Sequence, residues 1–89
     1  MIEYKLSMGA GLEFRSYLSI EYARSVAYKK AVSGGPRTEV YVFRMDKKAI
    51  PRMAGYVINQ KKGIFWIAEH ENRKRTEYVL NKDGSIKRM

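Results

Sequence analysis

Clusters of cations are the residues of this chain best placed by type and spacing to do chemistry. Lys47, Lys48 and Arg52 fall together, Lys61 and Lys62 are adjacent, and Arg73, Lys74 and Arg75 form the one uninterrupted basic triplet, followed by Lys82, Lys87 and Arg88. Side chains of this kind neutralise phosphates, and a row of them can track a nucleic-acid backbone. Tyr56 and Trp66 stand among further aromatic residues (Tyr41, Phe43, Phe65 and Tyr78) whose rings can stack on unpaired bases when they lie beside Lys or Arg. The same residues would equally serve as solvated loop tips and as core or dimer packing.

Other chemistries are poorly served. The chain has no cysteine, hence no disulfide framework, thiolate metal site or thiol nucleophile. His70 is the single histidine and lies between Glu69 and Glu71. Without a second histidine it makes a poor metal site. As a general base it would need Tyr and Arg partners, as in a metal-independent endoribonuclease. Gly9-x-Gly11 lacks the further glycines and the lysine of a phosphate loop. No cofactor and no metal are expected, and no residue is assigned a catalytic role.

The elements that must position these groups begin with a helix and its stop. Ser19 is the expected N-cap, with Ser16 as a competitor one turn earlier, and Glu21 favours the positive end of the helix dipole. Ile20, Ala23, Ala27 and Ala31 share one face, flanked by Val26 and Tyr28, while Glu21, Arg24, Ser25 and Lys29 fall largely opposite. That shallow alanine face suits close packing on a sheet; a helix–helix seam is its other use. Gly34-Gly35-Pro36 ends the helix. The strand from Thr38 to Met45 follows, with Val40 and Val42 on one face and Tyr41, Phe43 and Met45 on the other. A strand apolar on both sides expects cover on both, yet only one helix is available. One sheet face must therefore stay open or meet a partner.

Further strands are expected at Met1 to Ser7, Gly55 to Asn59, Ile64 to Ala68 and Thr76 to Leu80, with Ser85 to Lys87 pairing back after an Asn81-Lys82-Asp83-Gly84 turn. Leu12 to Leu18 reads as a short extended segment whose Phe14 and Leu18 pin the helix entrance. Asp46 to Met53 reads as a basic loop. The fold class is α+β: a mostly antiparallel sheet in the order β-α-β-β-β-β, with one helix, about 19–33, across one face. The whole chain, 1–89, forms a single domain. In such a meander alternate connections share an end, which brings the Lys47–Arg52 and Arg73–Arg75 clusters to one edge and leaves Lys61 and Lys62 at the other.

Lys and Arg number 18 against 9 Asp and Glu, giving a formal net charge of +9. That imbalance favours polyanion partners, with nucleic acid first and an anionic membrane or acidic protein next. No apolar run reaches the roughly 20 residues needed to span a bilayer. The opening residues lack the long apolar region of a signal peptide, and a cysteine-free chain fits a reducing cytoplasm. Lys62 to Ile67 is similar to the strand signature of RNA-recognition-motif proteins, but its alternate aromatics and that fold's second helix are missing. Gly11 to Phe14, with Ser19 to Ala23 and Val40 to Phe43, resembles the central region of ADP-ribosyltransferase-type domains, whose N-terminal nucleotide-binding motif is missing here. Neither resemblance carries over a residue or an activity.

The expected function is a small non-enzymatic binding protein that contacts nucleic acid or a nucleoprotein complex through Lys47, Lys48, Arg52, Arg73, Lys74 and Arg75, with Tyr56 and Trp66 available for stacking. The alternative is a protein-interaction module whose open sheet face forms a homodimer or docks on an acidic protein. A metal-independent endoribonuclease is the third.

Overall fold

The computed structural model describes residues 2–46, 50–70, 72 and 74–89. The chain builds one antiparallel sheet of seven strands around one helix, the α+β arrangement expected. The strands are β1 (Glu3–Ser7), β2 (Leu12–Tyr17), β3 (Glu39–Met45), β4 (Arg52–Gln60), β5 (Gly63–Glu69), β6 (Arg75–Leu80) and β7 (Ile86–Arg88), and α1 (Ile20–Gly34) connects β2 to β3. Their order across the sheet is β2-β1-β3-β4-β5-β6-β7. The extended segment at Leu12 is thus a full edge strand, and the pairing expected at Ser85 to Lys87 closes the opposite edge.

Local chemistry sets the helix ends. Ser19 is the N-cap, its Oγ accepting a hydrogen bond from the Tyr22 N–H at 3.1 Å. At the other end Gly35 takes a positive φ of 85°, open to a residue without Cβ, and donates to the Val32 carbonyl at 3.2 Å. Asn59 of β4 completes this end by donating from Nδ2 to the Ala31 carbonyl at 3.0 Å.

Ala23, Ala27 and Ala31 are fully buried and let α1 lie close to the sheet. They meet Leu6, Val40, Val42, Val57, Trp66 and Leu80, whose strands present alternate residues to the helix. Register assigns the other alternate residues to the outer face: Lys5 opposite Phe43, Tyr41 opposite Tyr56, Ile58 opposite Phe65, and Phe65 opposite Val79. The two-sided apolar character of β3 resolves in this way, and no described element covers the outer face.

The sheet curls around the helix. The β2 edge runs directly into α1, while the β6–β7 turn from the other side of the sheet brings Gly84 against the backbone of Glu21 and Ser25. Both sides of the sheet therefore converge on the first half of α1. Arg24 sits beneath that closure, 7% exposed, donating from Nε to the Gly84 carbonyl at 2.9 Å. Its side chain was expected on the outward side of the helix, and the turn folding over it is what buries it.

Two bulges shape the sheet. Between Val42 and Phe43 the partner strand β4 carries Ala54 as an extra residue. Between Lys5 and Ser7 the partner strand β2 carries Glu13, Phe14 and Arg15 opposite Leu6 alone. Extra residues in one strand bend it and re-aim its side chains. Phe14 is accordingly 98% exposed, and Leu18 is 68% exposed. They do not pin the helix entrance as expected. Tyr17 does so: it is buried and packs edge-on against Tyr22 at 5.4 Å between ring centroids.

Candidate nucleic-acid interface

Antiparallel succession decides which connections meet. The β3–β4 connection (46–51) and the β5–β6 connection (70–74) leave the sheet at one end, while Lys61, Lys62 and Lys82 lie in turns at the other. Lys82 thus lies away from the Arg73–Arg75 triplet that it follows in sequence. Lys47, Lys48 and Arg73 lie outside the described residues, and within the chain they belong to the two connections that share an end.

Arg44 and Arg52 are register partners across β3 and β4 at this end. Arg44 continues the inward-facing series of Val40 and Val42, and its side chain is exposed. Residues directly opposite one another on one face of a sheet are near neighbours, so both guanidiniums can reach one anion together. The planar guanidinium fork also matches phosphate oxygens in pairs. Arg44 was not singled out from the sequence; its signal was its place in the alternation beyond the last valine.

An open groove of about 830 Å³ at this end is lined by Arg44, Arg52, Met53 and His70. Asp46 and Glu69 also line it, so its positive character is moderated. His70 is held in place: its Nε2 lies 2.8 Å from Thr76 Oγ1, and its backbone N–H donates to the Lys74 carbonyl at 3.0 Å. Lys74 is exposed, and its N–H donates to Asn72 Oδ1 at 3.2 Å. A second, shallower hollow beside it is lined by His70, Lys74, Arg75 and Thr76.

Arg75 marks the corner between this end and the outer face. Its Nε donates to Glu69 Oε1 at 2.8 Å, and its guanidinium lies 5.9 Å from the centre of the Tyr56 ring. Tyr56 in turn lies 5.9 Å from Tyr41, ring to ring, with the planes tilted by 51°. The Tyr41 hydroxyl donates to Glu39 Oε1 at 2.7 Å, which together with slight desolvation raises its pKa above the ordinary phenol value.

Trp66 is placed differently. It is 2% exposed on the helix side of β5, with the Arg24 guanidinium 5.4 Å from its ring. Gly55 on the neighbouring strand makes room for it, because a Cβ there would meet the indole and the Ile67 carbonyl. The side chain that turns outward at this point in the sequence is Phe65, so the available rings are Tyr56, Tyr41, Phe43 and Phe65. Among the described residues no group of three His, Asp or Glu could hold a metal ion, and no helix is long and apolar enough to cross a membrane.

The end that carries Arg44, Arg52, Lys74 and Arg75 thus offers guanidinium and ammonium groups around an open groove, with one aromatic pair at its corner. No family model, no curated protein and no solved structure matches this chain.

Proposed function

We propose that this chain is a small non-enzymatic binding protein that contacts nucleic acid, free or within a nucleoprotein complex, through the end of the sheet where the β3–β4 and β5–β6 connections meet. The observation that carries the proposal is the Arg44–Arg52 pair lining one groove with His70, with Lys74 on the adjoining connection and Arg75 at the start of β6. Lys47, Lys48 and Arg73 add their charge to the same two connections. Each phosphate neutralised releases condensed counterions, and that release drives the association. Asp46 and Glu69 limit how many phosphates the groove takes, so Lys74 and Arg75 beside it share the contact. A reducing cytoplasm is the compartment that suits such a partner and a cysteine-free chain.

The test is binding of labelled single- and double-stranded DNA and RNA across a salt series from roughly 50 to 200 mM, where phosphate-driven affinity changes steeply. Affinity should fall with a slope of about one logarithmic unit per phosphate contact, and Arg44→Ala with Arg52→Ala should flatten it by about two. Lys61→Ala with Lys62→Ala, at the far end of the sheet, should change the affinity much less. Inspecting the same RNA for cleavage, with His70→Ala alongside, separates binding from hydrolysis.

A further inference from the structure

The outer sheet face has a character of its own. Its crest, on the three central strands β3, β4 and β5, is apolar and aromatic: Tyr41, Phe43, Tyr56, Ile58, Phe65 and Ile67. Charged residues flank it, with Glu3 and Lys5 on β1, Arg75 and Glu77 on β6, and Lys87 on β7. With Glu39 and Glu69 at strand ends, the described residues give this face four acidic and three basic side chains, close to neutral on a chain of net charge +9. An apolar centre with a polar rim is the anatomy of a protein interface. Near-neutrality removes the attraction that would bring a polyanion here.

We infer that the outer face binds a second copy of this chain in a two-fold symmetric dimer. Two strongly cationic molecules repel one another over most of their surfaces, and this face is the place where they can approach without that cost. An isologous contact also requires a self-complementary patch. β1 and β6 each stand two strands from β4 and each carry both signs of charge. A two-fold axis along β4 therefore sets β1 of one copy over β6 of the other, with Lys5 level with Arg75 and the unlike pairs Lys5–Glu77 and Glu3–Arg75 meeting diagonally, one outward residue along the strands. Six strand spacings of about 4.8 Å by strands about 20 Å long project to roughly 600 Å². That is the order of area a standard interface takes from each partner, about 800 Å². Both basic ends then point the same way, which doubles the charged edge offered to a long polyanion.

Sedimentation equilibrium of the protein alone, without nucleic acid, tests the inference independently of the nucleic-acid proposal. The expected result is a monomer–dimer equilibrium between roughly 5 and 500 μM, the range of weak to moderate association, that survives a rise in salt. Phe65→Lys, at the crest, should abolish the dimer. Glu77→Lys, at an exposed rim position where folding is not at stake, should weaken it about tenfold by turning the face net positive. Lys61→Glu with Lys62→Glu should leave it intact. A monomer at every concentration overturns the inference, as does a dimer indifferent to both Phe65→Lys and Glu77→Lys. A monomer that instead binds single-stranded nucleic acid through Tyr41 and Phe65 also overturns it.

Discussion

Arg24 and Tyr41 show how single side chains in this protein are governed by what folds over them. The Arg24 guanidinium is buried against Trp66, and desolvation lowers its pKa, partly offset by the nearby Glu21 carboxylate. Arginine nevertheless stays charged, so its hydrogen bond to Gly84 is the compensation for burial. Arg24→Leu should cost about 1–3 kcal/mol, because it leaves the Gly84 carbonyl without its donor. Thermal unfolding followed by Trp66 fluorescence measures this, and an unchanged midpoint would remove the contact from the account. Tyr41 gives the pH counterpart. Its folded-state pKa is raised, so it favours the folded protein below the ordinary phenol value of 10.0, and that contribution is lost as pH rises through the folded value. Glu39→Gln should move the Tyr41 step in an ultraviolet titration downward, toward that ordinary value; a titration identical to the parent would contradict the assignment. Arg24 was misplaced from the sequence for a definite reason. It flanks the alanine stripe, and its burial comes from a turn 60 residues away, beyond the reach of any local periodicity.

At the scale of elements, local rules were legible wherever a single residue type decides the outcome. Ser19 at the N-cap, glycine at the helix stop and the alternation in β3 follow from capping chemistry and strand period, and each is present in the fold. Ser19→Ala should therefore cost about 1 kcal/mol of stability, measured by denaturant unfolding. What local pattern did not carry was the pair of bulges. Extra residues in β2 turn Phe14 out to solvent and leave Tyr17 to close the helix entrance, an exchange that hydrophobicity alone gets backwards. Trp66 follows the same logic: its inward orientation depends on the parity of β5 and on Gly55 of the neighbouring strand. The β6–β7 turn is the most demanding junction. Gly84 has a φ of 91°, and a Cβ there would collide with the Glu21 carbonyl. Gly84→Ala should destabilise by about 2 kcal/mol or more, through backbone strain and separation of the turn from α1. A melting temperature equal to the parent's would show that the turn yields at little cost.

Over the whole molecule, charge and apolar surface are sorted into different places. The shared destination of the β3–β4 and β5–β6 connections was legible, because antiparallel succession dictates it. Arg44 was not, because it lies on a strand whose other residues explain themselves as core. The outer face carries four of the nine acidic side chains against three basic ones, so the excess positive charge falls elsewhere, on the loop ends and helix side. Phosphate contact by the end bearing Arg44, Arg52, Lys74 and Arg75 is tested most directly by the salt dependence of nucleic-acid affinity, for the parent chain and for Arg44→Ala with Arg52→Ala. The expected result is binding at roughly 50 mM salt that weakens steeply by roughly 200 mM, with a shallower slope in the variant. No binding at the lower salt, or a slope that the variant leaves unchanged, would contradict it.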